Sequence, residues 1–429
     1  MGELLSAMQT YANRKPARFH MPGHKGNLSC ANGLPYDLDV TEVYGVDKLR
    51  HPTGVLKHLE ERLAGAFGSR RAFLSVNGST GALYAGIYAA CRRGDTILVS
   101  RNCHLSVWQA AEFMGLQTVT IEPEWWATLG VFGAIPTEAV RFAVKHHPEA
   151  RLCVLPSPTY EGFVSDTAAI AEILHGAGIP LLLDAAHGRE IPPQADMAAQ
   201  SLHKVFAAMT QTAALHWNSA LVTACAAERA ARMFTSTSPS YILMTSAENA
   251  LEALAEDGAA LHHLAAFRQA AADWKNLRLV PTDDPYKLLI NLSGSALTAA
   301  QAEHILREQY NVEAEYCKGR LLLCMVSDWN TAEDFARLKA ALAALDAAQA
   351  APPGPPLHPP PRPEQRIPIA EAVRIESEEI PLQEAEGRVA WEYLYAYPPG
   401  VPLCFPGCRI AAGHIAYLDR ETVRVAAGF

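Results

Sequence analysis

The sequence predicts an α/β fold built on a mostly parallel sheet, and three observations carry that prediction. Short apolar runs suited to buried strands alternate with helix-length segments, the order that lays helices over a parallel sheet. Ser79, Thr80, His104, Thr159, Asp184 and His187 each stand just after a predicted strand, and ligands of open α/β sheets gather beyond the carboxyl ends of the strands. At 429 residues the chain exceeds one ordinary core, so more than one domain is expected.

Residues 4–13 suit a short helix ended by Pro16. Arg18 to Gly26 is dense in His, Gly and Pro and reads as a fixed loop around His20 and His24. Leu56, Leu59, Leu63 and Phe67 recur at helical spacing, which predicts a helix over 54–67 closed by Gly68. A strand follows over 71–76, then Asn77-Gly78-Ser79-Thr80-Gly81, then a small-residue helix from about Ala82 to Cys91. Strand, Gly/Ser/Thr turn and helix start together can bind phosphate, because free N–H groups and the helix dipole meet the dianion. The same turn could equally be a helix cap. It is not a nucleotide P-loop, since no Lys follows the second Gly.

Further strands are predicted over 95–100, 117–122, 151–155 and 179–184, with a helix over 167–176 closed by Gly178. Another strand is expected from Ser219 to Cys225. Residues 244–272, rich in Ala and Leu, suit one long helix or two. Residues 286–345 read as a compact α/β unit. It has strands over 287–292 and 321–326, and helices opened by Thr298 with Gln301 and by Thr331 with Asp334. Eight prolines between Pro352 and Pro363 predict an extended, semi-rigid linker.

Asp184 ends the apolar run Leu181-Leu182-Leu183, and Ser201-Leu202-His203-Lys204 lies twenty positions on. A strand-end carboxylate with a lysine on a second element meets the needs of pyridoxal 5′-phosphate (PLP). The amine forms a Schiff base and the carboxylate keeps the pyridine nitrogen protonated. Read alone, Lys204 is one surface lysine and Asp184 a cap. Read with the phosphate-binding turn and the shared sheet edge, they point to one site.

Composition bounds the alternatives. The formal charge is −9 and no basic cluster stands out, which argues against a nucleic-acid partner. Nine scattered Cys without a CxxC pattern fit reduced thiols rather than a disulfide framework or zinc site. No metal site is expected, since the two loop histidines lack nearby carboxylate or Cys partners. Met1 to Leu5 shows no secretory signal, and no apolar run reaches the length of a membrane span, so a cytoplasmic location is expected.

Seven stretches, in order, give a specific resemblance: His20-Met-Pro-Gly-His24, Asn77-Gly-Ser-Thr-Gly81, Arg101-Asn-Cys-His104, Pro158-Thr-Tyr160, Asp184-Ala-Ala-His-Gly188, Ser201-Leu-His-Lys204 and Thr235-Ser-Thr-Ser-Pro-Ser-Tyr241. Tyr397-Pro-Pro-Gly-Val-Pro-Leu adds a terminal match. The chain resembles the fold-type I PLP-dependent ornithine/lysine/arginine decarboxylase family, in its short form without an N-terminal wing domain. The resemblance implies an aspartate aminotransferase-like large domain with a mostly parallel seven-stranded sheet, a small α/β domain and a C-terminal decarboxylase-type domain. The expected division is an N-terminal arm over 1–50, the large domain over 51–245, the small domain over 246–350, the linker over 351–365 and the last domain over 366–429.

It also implies roles. Lys204 would carry PLP, Asp184 would pair with the pyridine nitrogen, and His104 would stack on the ring. Ser79 and Thr80, with Ser201, would hold the phosphate, while Thr159 and His187 would line the cofactor site. His203 would return a proton after CO2 leaves. The reaction would be decarboxylation of lysine, arginine or ornithine. The loop over 236–241 would reach a neighbouring subunit's site, implying a homodimer. Three positions depart from the usual pattern: Ala185 replaces a Glu, Leu105 replaces a Lys, and the stretch from His187 to Lys204, which includes Glu190, is short. Glu384, Glu386 and Asp47 are candidate partners for the substrate's distal cation, against the plainer reading of solvated surface charges. The alternatives are another PLP reaction of the same fold, either transamination, which would want an arginine such as Arg320, or a different lyase reaction, and a non-catalytic relative that binds PLP and regulates a partner.

Overall fold

The computed structural model describes residues 2–16, 18, 21–22, 25, 34–254, 258–352, 354–396 and 400–429. His20, Gly23 and His24 of the first motif and Tyr397 to Pro399 of the last lie outside the described residues.

Seven strands form the main sheet: β1 (Arg71–Ser75), β2 (Thr96–Ser100), β3 (Gln117–Ile121), β4 (Leu152–Pro156), β5 (Leu181–Ala185), β6 (Met197–Ser201) and β7 (Ala213–Trp217). Their order is β1-β7-β6-β5-β4-β2-β3. The sheet is mostly parallel, as expected; β5 and β6 pair in parallel, whereas β7 runs antiparallel to both β1 and β6. Strands β4, β5 and β6 are buried along their whole length. That is why they read as continuous runs of apolar and small residues rather than alternating ones.

The strand expected over 219–225 lies earlier, at β7. Ser219 explains the shift. Its hydroxyl oxygen accepts from Leu221 N and Val222 N at 2.9 and 2.8 Å, a local turn that satisfies the backbone a strand would pair elsewhere. Thr223 then caps the helix Ala224–Met233 through Ala226 N. The helix after β1 also begins earlier than the expected Ala82. It spans Gly78–Ala90, with Gly78 at φ +66° making the reversal out of the strand. The Ala-rich segment forms two helices, Tyr241–Ala253 and Ala259–Ala271.

The chain divides into two compact units. The first comprises Met1–Ile97, Val144–Leu155 and Thr167–Ala255. One of its cores joins Leu4, Leu56, Leu63, Leu202, Tyr241 and Met244 from three helices and the turn after β6. Burying Leu202 contributes about 2 kcal/mol and fixes the base from which Lys204 projects.

The second unit comprises Leu98–Ala143, Pro156–Asp166 and Glu256–Phe429. It holds an antiparallel four-stranded sheet, in spatial order Arg278–Val280, Lys287–Asn291, Leu321–Met325 and Tyr316–Lys318. Thr298 with Gln301 and Thr331 with Asp334 form the expected capping boxes. The proline-rich segment is tied down in this unit. An extended proline run makes no internal hydrogen bonds, so its carbonyls are open to outside donors. Arg101 donates to Pro360 O at 2.8 Å and also to Pro361 O, Tyr417 Oη to His358 O at 2.6 Å, and Trp125 Nε1 to Leu357 O at 2.8 Å. Among the described residues no helix is long and apolar enough to cross a membrane.

Candidate active site

Strand register sets the site's first unit. Ser75 and Ser201 both pair with Ala213, and Ala185 pairs with Gln200. The carboxyl ends of β1, β5 and β6 therefore finish at one edge. From that edge come Asn77–Thr80, Asp184–His187 and Ser201–Lys204.

At the β1 exit, Ser75 Oγ donates to Gly78 O at 3.0 Å and accepts from Asn77 N at 3.2 Å, while Gly78 N donates to Gln211 O at 2.8 Å. The following helix begins with no side-chain cap and no acidic residue in its first turn. With Gly78 N and Gly81 N already engaged, the N–H groups and hydroxyls of Ser79 and Thr80 present donors to an anion.

Asp184 is 6% exposed, and its Oδ1 accepts from Ala186 N at 3.2 Å. A buried carboxylate costs free energy unless a cation or several donors face it. Its placement at the strand end suits a protonated ring nitrogen. Ser201 is fully buried.

Lys204 stands on the short helix Leu202–Val205 with its side chain exposed. Its Nζ lies 3.1 Å from Nε2 of His187, a buried residue. An ammonium only donates, so Nε2 accepts and the proton of the neutral ring is on Nδ1. Arg189 ties the two segments together. It donates to Val205 O at 2.8 Å and lies over the Phe206 ring at 5.2 Å.

His203 Nδ1 is 3.0 Å from Thr212 O and 3.0 Å from Ser201 Oγ. The carbonyl can only accept, so Nδ1 carries the proton and Nε2 of the neutral ring holds a lone pair. Burial pushes the His203 pKa down. The Thr212 bond opposes that shift and the Lys204 charge adds to it.

His104 and Thr159 belong to the second unit. His104 caps the helix Leu105–Met114, its Nδ1 accepting from Ser106 N at 3.2 Å. Thr159 is buried and its Oγ1 accepts from Phe163 N at 3.1 Å. Glu384 and Glu386 are exposed, as is Glu190. Arg320 donates to Gly354 O at 3.4 Å.

Two candidates have structural work of their own in the first unit. Asp47 accepts from the N–H groups of Lys48, Thr53, Gly54 and Leu56, and so closes the loop leading into the helix Val55–Ala66. Tyr241 is fully buried and donates to Asp47 O at 2.6 Å, which anchors its end of the 236–241 loop within its own chain. Ser236, Thr237 and Ser238 of that loop are exposed.

Sequence reading missed Gln200, His216 and Arg189. The signal was present for two of them: a lone Gln and a lone His each interrupt an otherwise apolar strand, and a buried polar group needs a partner.

The donor set fits PLP: hydroxyls and N–H groups for the phosphate, a buried carboxylate for the ring nitrogen and an amine for the aldehyde. Comparison with known proteins identifies the family. Residues 3–277 match the family described as "Orn/Lys/Arg decarboxylase, major domain", and residues 359–424 match "Orn/Lys/Arg decarboxylase, C-terminal domain". An arginine decarboxylase of Bacillus anthracis is 33% identical over 97% of this chain and 92% of its own. One of Bacillus subtilis is 30% identical over 97% and 93%. The solved structure of the constitutive lysine decarboxylase of Escherichia coli superposes with a TM-score of 0.81 at 19% identity, covering 99% of this chain and 82% of that one.

Proposed function

The chain belongs to the Orn/Lys/Arg decarboxylase family, and from that premise we propose that it removes the α-carboxyl group of a basic amino acid, arginine foremost. Arginine is preferred because relatives named arginine decarboxylase, among them those of Bacillus anthracis and Bacillus subtilis, are 30–33% identical over nearly their full length. The observation that carries the site assignment is the convergence of Ser79, Thr80, Asp184, His187, Ser201, His203 and Lys204 at one sheet edge.

PLP, when bound, supplies the electron sink for the pair left behind by CO2. Ser79 and Thr80, the helix N-terminus behind them and Ser201 hold the phosphate. Asp184 keeps a proton on the ring nitrogen. Lys204 is the amine that anchors the cofactor, and His187 orients it. His104 and Thr159 belong to the second unit, and a cofactor role for them rests on the family resemblance alone. His203 would return a proton to the carbon that has lost CO2 through Nε2, which must first take one up because the neutral ring holds its own proton on Nδ1 against Thr212 O. With PLP bound, the protein's main task would be to orient the departing carboxylate so that the breaking bond can pass its electrons to the cofactor. The active assembly is a homodimer.

Incubation of purified protein with carboxyl-labelled arginine, lysine and ornithine tests the reading. Labelled CO2 is expected from at least one, with the highest kcat/KM for arginine. Accumulation of a keto acid without CO2 would overturn it.

A further inference from the structure

We infer that Gln200 is a positioning residue: backed by His216 and Ser69, it grips the backbone just after His187 and thereby sets the His187–Lys204 contact. Gln200 and His216 are both fully buried. Gln200 Nε2 donates to Gly188 O at 3.0 Å and, more weakly, to Arg189 O at 3.5 Å. Two carbonyls fix the amide's orientation, since only its NH2 end can donate. Its Oε1 then faces His216 Nε2 at 3.1 Å, and His216 Nδ1 meets Ser69 Oγ at 3.0 Å. The hydrogen bonds run one way, from Ser69 through His216 and Gln200 to Gly188.

A core polar group could be satisfied by any neighbour. Here the partner is the loop that carries His187. That loop is held from its other side by Gly188 N on Ala185 O at 2.8 Å. Arg189 extends the hold to Val205, one residue beyond Lys204. The short link between β5 and β6 is therefore braced from inside the sheet, and the 3.1 Å contact between His187 and Lys204 is its product.

The inference rests on Lys204 as the anchoring amine, but it is tested without the cofactor, so failure of either reading is distinguishable. In full-length protein stripped of PLP, with its fold checked by near-UV circular dichroism, Lys204 is trace-acetylated between about pH 6 and 11 and mapped by peptide mass. A neutral imidazole accepting from an ammonium favours the charged amine. Gln200→Met should therefore lower the midpoint for Lys204 by about half a pH unit or more, and should add nothing in a His187→Phe background. An unchanged midpoint in folded Gln200→Met protein, or an equal drop in both backgrounds, would overturn the inference. Should Gln200→Met not fold, Ser69→Ala at the half-buried end of the chain carries the test. A smaller drop is expected from it, and an unchanged midpoint overturns the inference.

Discussion

Lys204 Nζ and His187 Nε2 meet at 3.1 Å, joining the element after β6 to the turn after β5. A hydrogen bond to a charged group contributes about 1.5–3 kcal/mol. His187 is also proposed to contact the bound cofactor, and loss of one such bond in His187→Phe should weaken PLP binding by roughly 10- to 100-fold, measured by titrating stripped protein and following visible absorbance. Unchanged affinity would remove His187 from the site.

His203→Gln keeps a hydrogen-bonding side chain but gives up the titrating ring. Loss of a positioned general acid costs typically 10²–10⁴ in rate. Labelled CO2 release should fall by about that factor while PLP absorbance persists. A rate within a few-fold of the parent would assign the proton to another donor.

Asp47 separates a structural role from a substrate role. Burial raises its pKa, but bonds from the Gly54, Lys48, Thr53 and Leu56 N–H groups outweigh that and hold it below the usual range. Its stabilising contribution is present above the unfolded carboxylate pKa and is lost as pH falls through the lower folded value. Asp47→Asn should cost about 1–2 kcal/mol in urea unfolding and leave KM for arginine within about twofold. A large rise in KM without loss of stability would return Asp47 to the substrate.

His216 sets a pH dependence of the opposite residue type but the same sign. Complete burial pushes its pKa down to about 3, against about 6.5 in an unfolded chain. The unfolded state binds more protons between those values, so stability falls as pH drops below about 6.5, by about 1.4 kcal/mol per unit. Between pH 7 and 5 the parent should lose about 2 kcal/mol more than His216→Gln. Parallel losses in the two proteins would show that His216 is not the group responsible.

Much of the fold was legible because buried strands and amphipathic helices carry strong local patterns. The helix 167–176 was read to the residue, and both capping boxes were visible as Thr with Gln301 and Thr with Asp334. β7 was misplaced because buried His216 broke its apolar run, while Leu221-Val222-Thr223 offered strand formers to a loop closed by Ser219. Asp184, Ser79 and Thr80 were read as candidates from their position after strands, and the register sets them at one sheet edge. What local pattern could not give was pairing at a distance. Gln200 with Gly188, His216 with Ser69 and Asp47 with the start of a helix are tertiary hydrogen bonds.

The central claim is that Lys204 carries PLP, and borohydride reduction tests it most directly. Reduction of the purified protein followed by peptide mass mapping should place one pyridoxyl adduct on Lys204. Lys204→Ala should show no adduct at that position, no visible cofactor absorbance and no CO2 release. An adduct on a different lysine, or parent protein that takes up no PLP when supplied with it, would contradict the account.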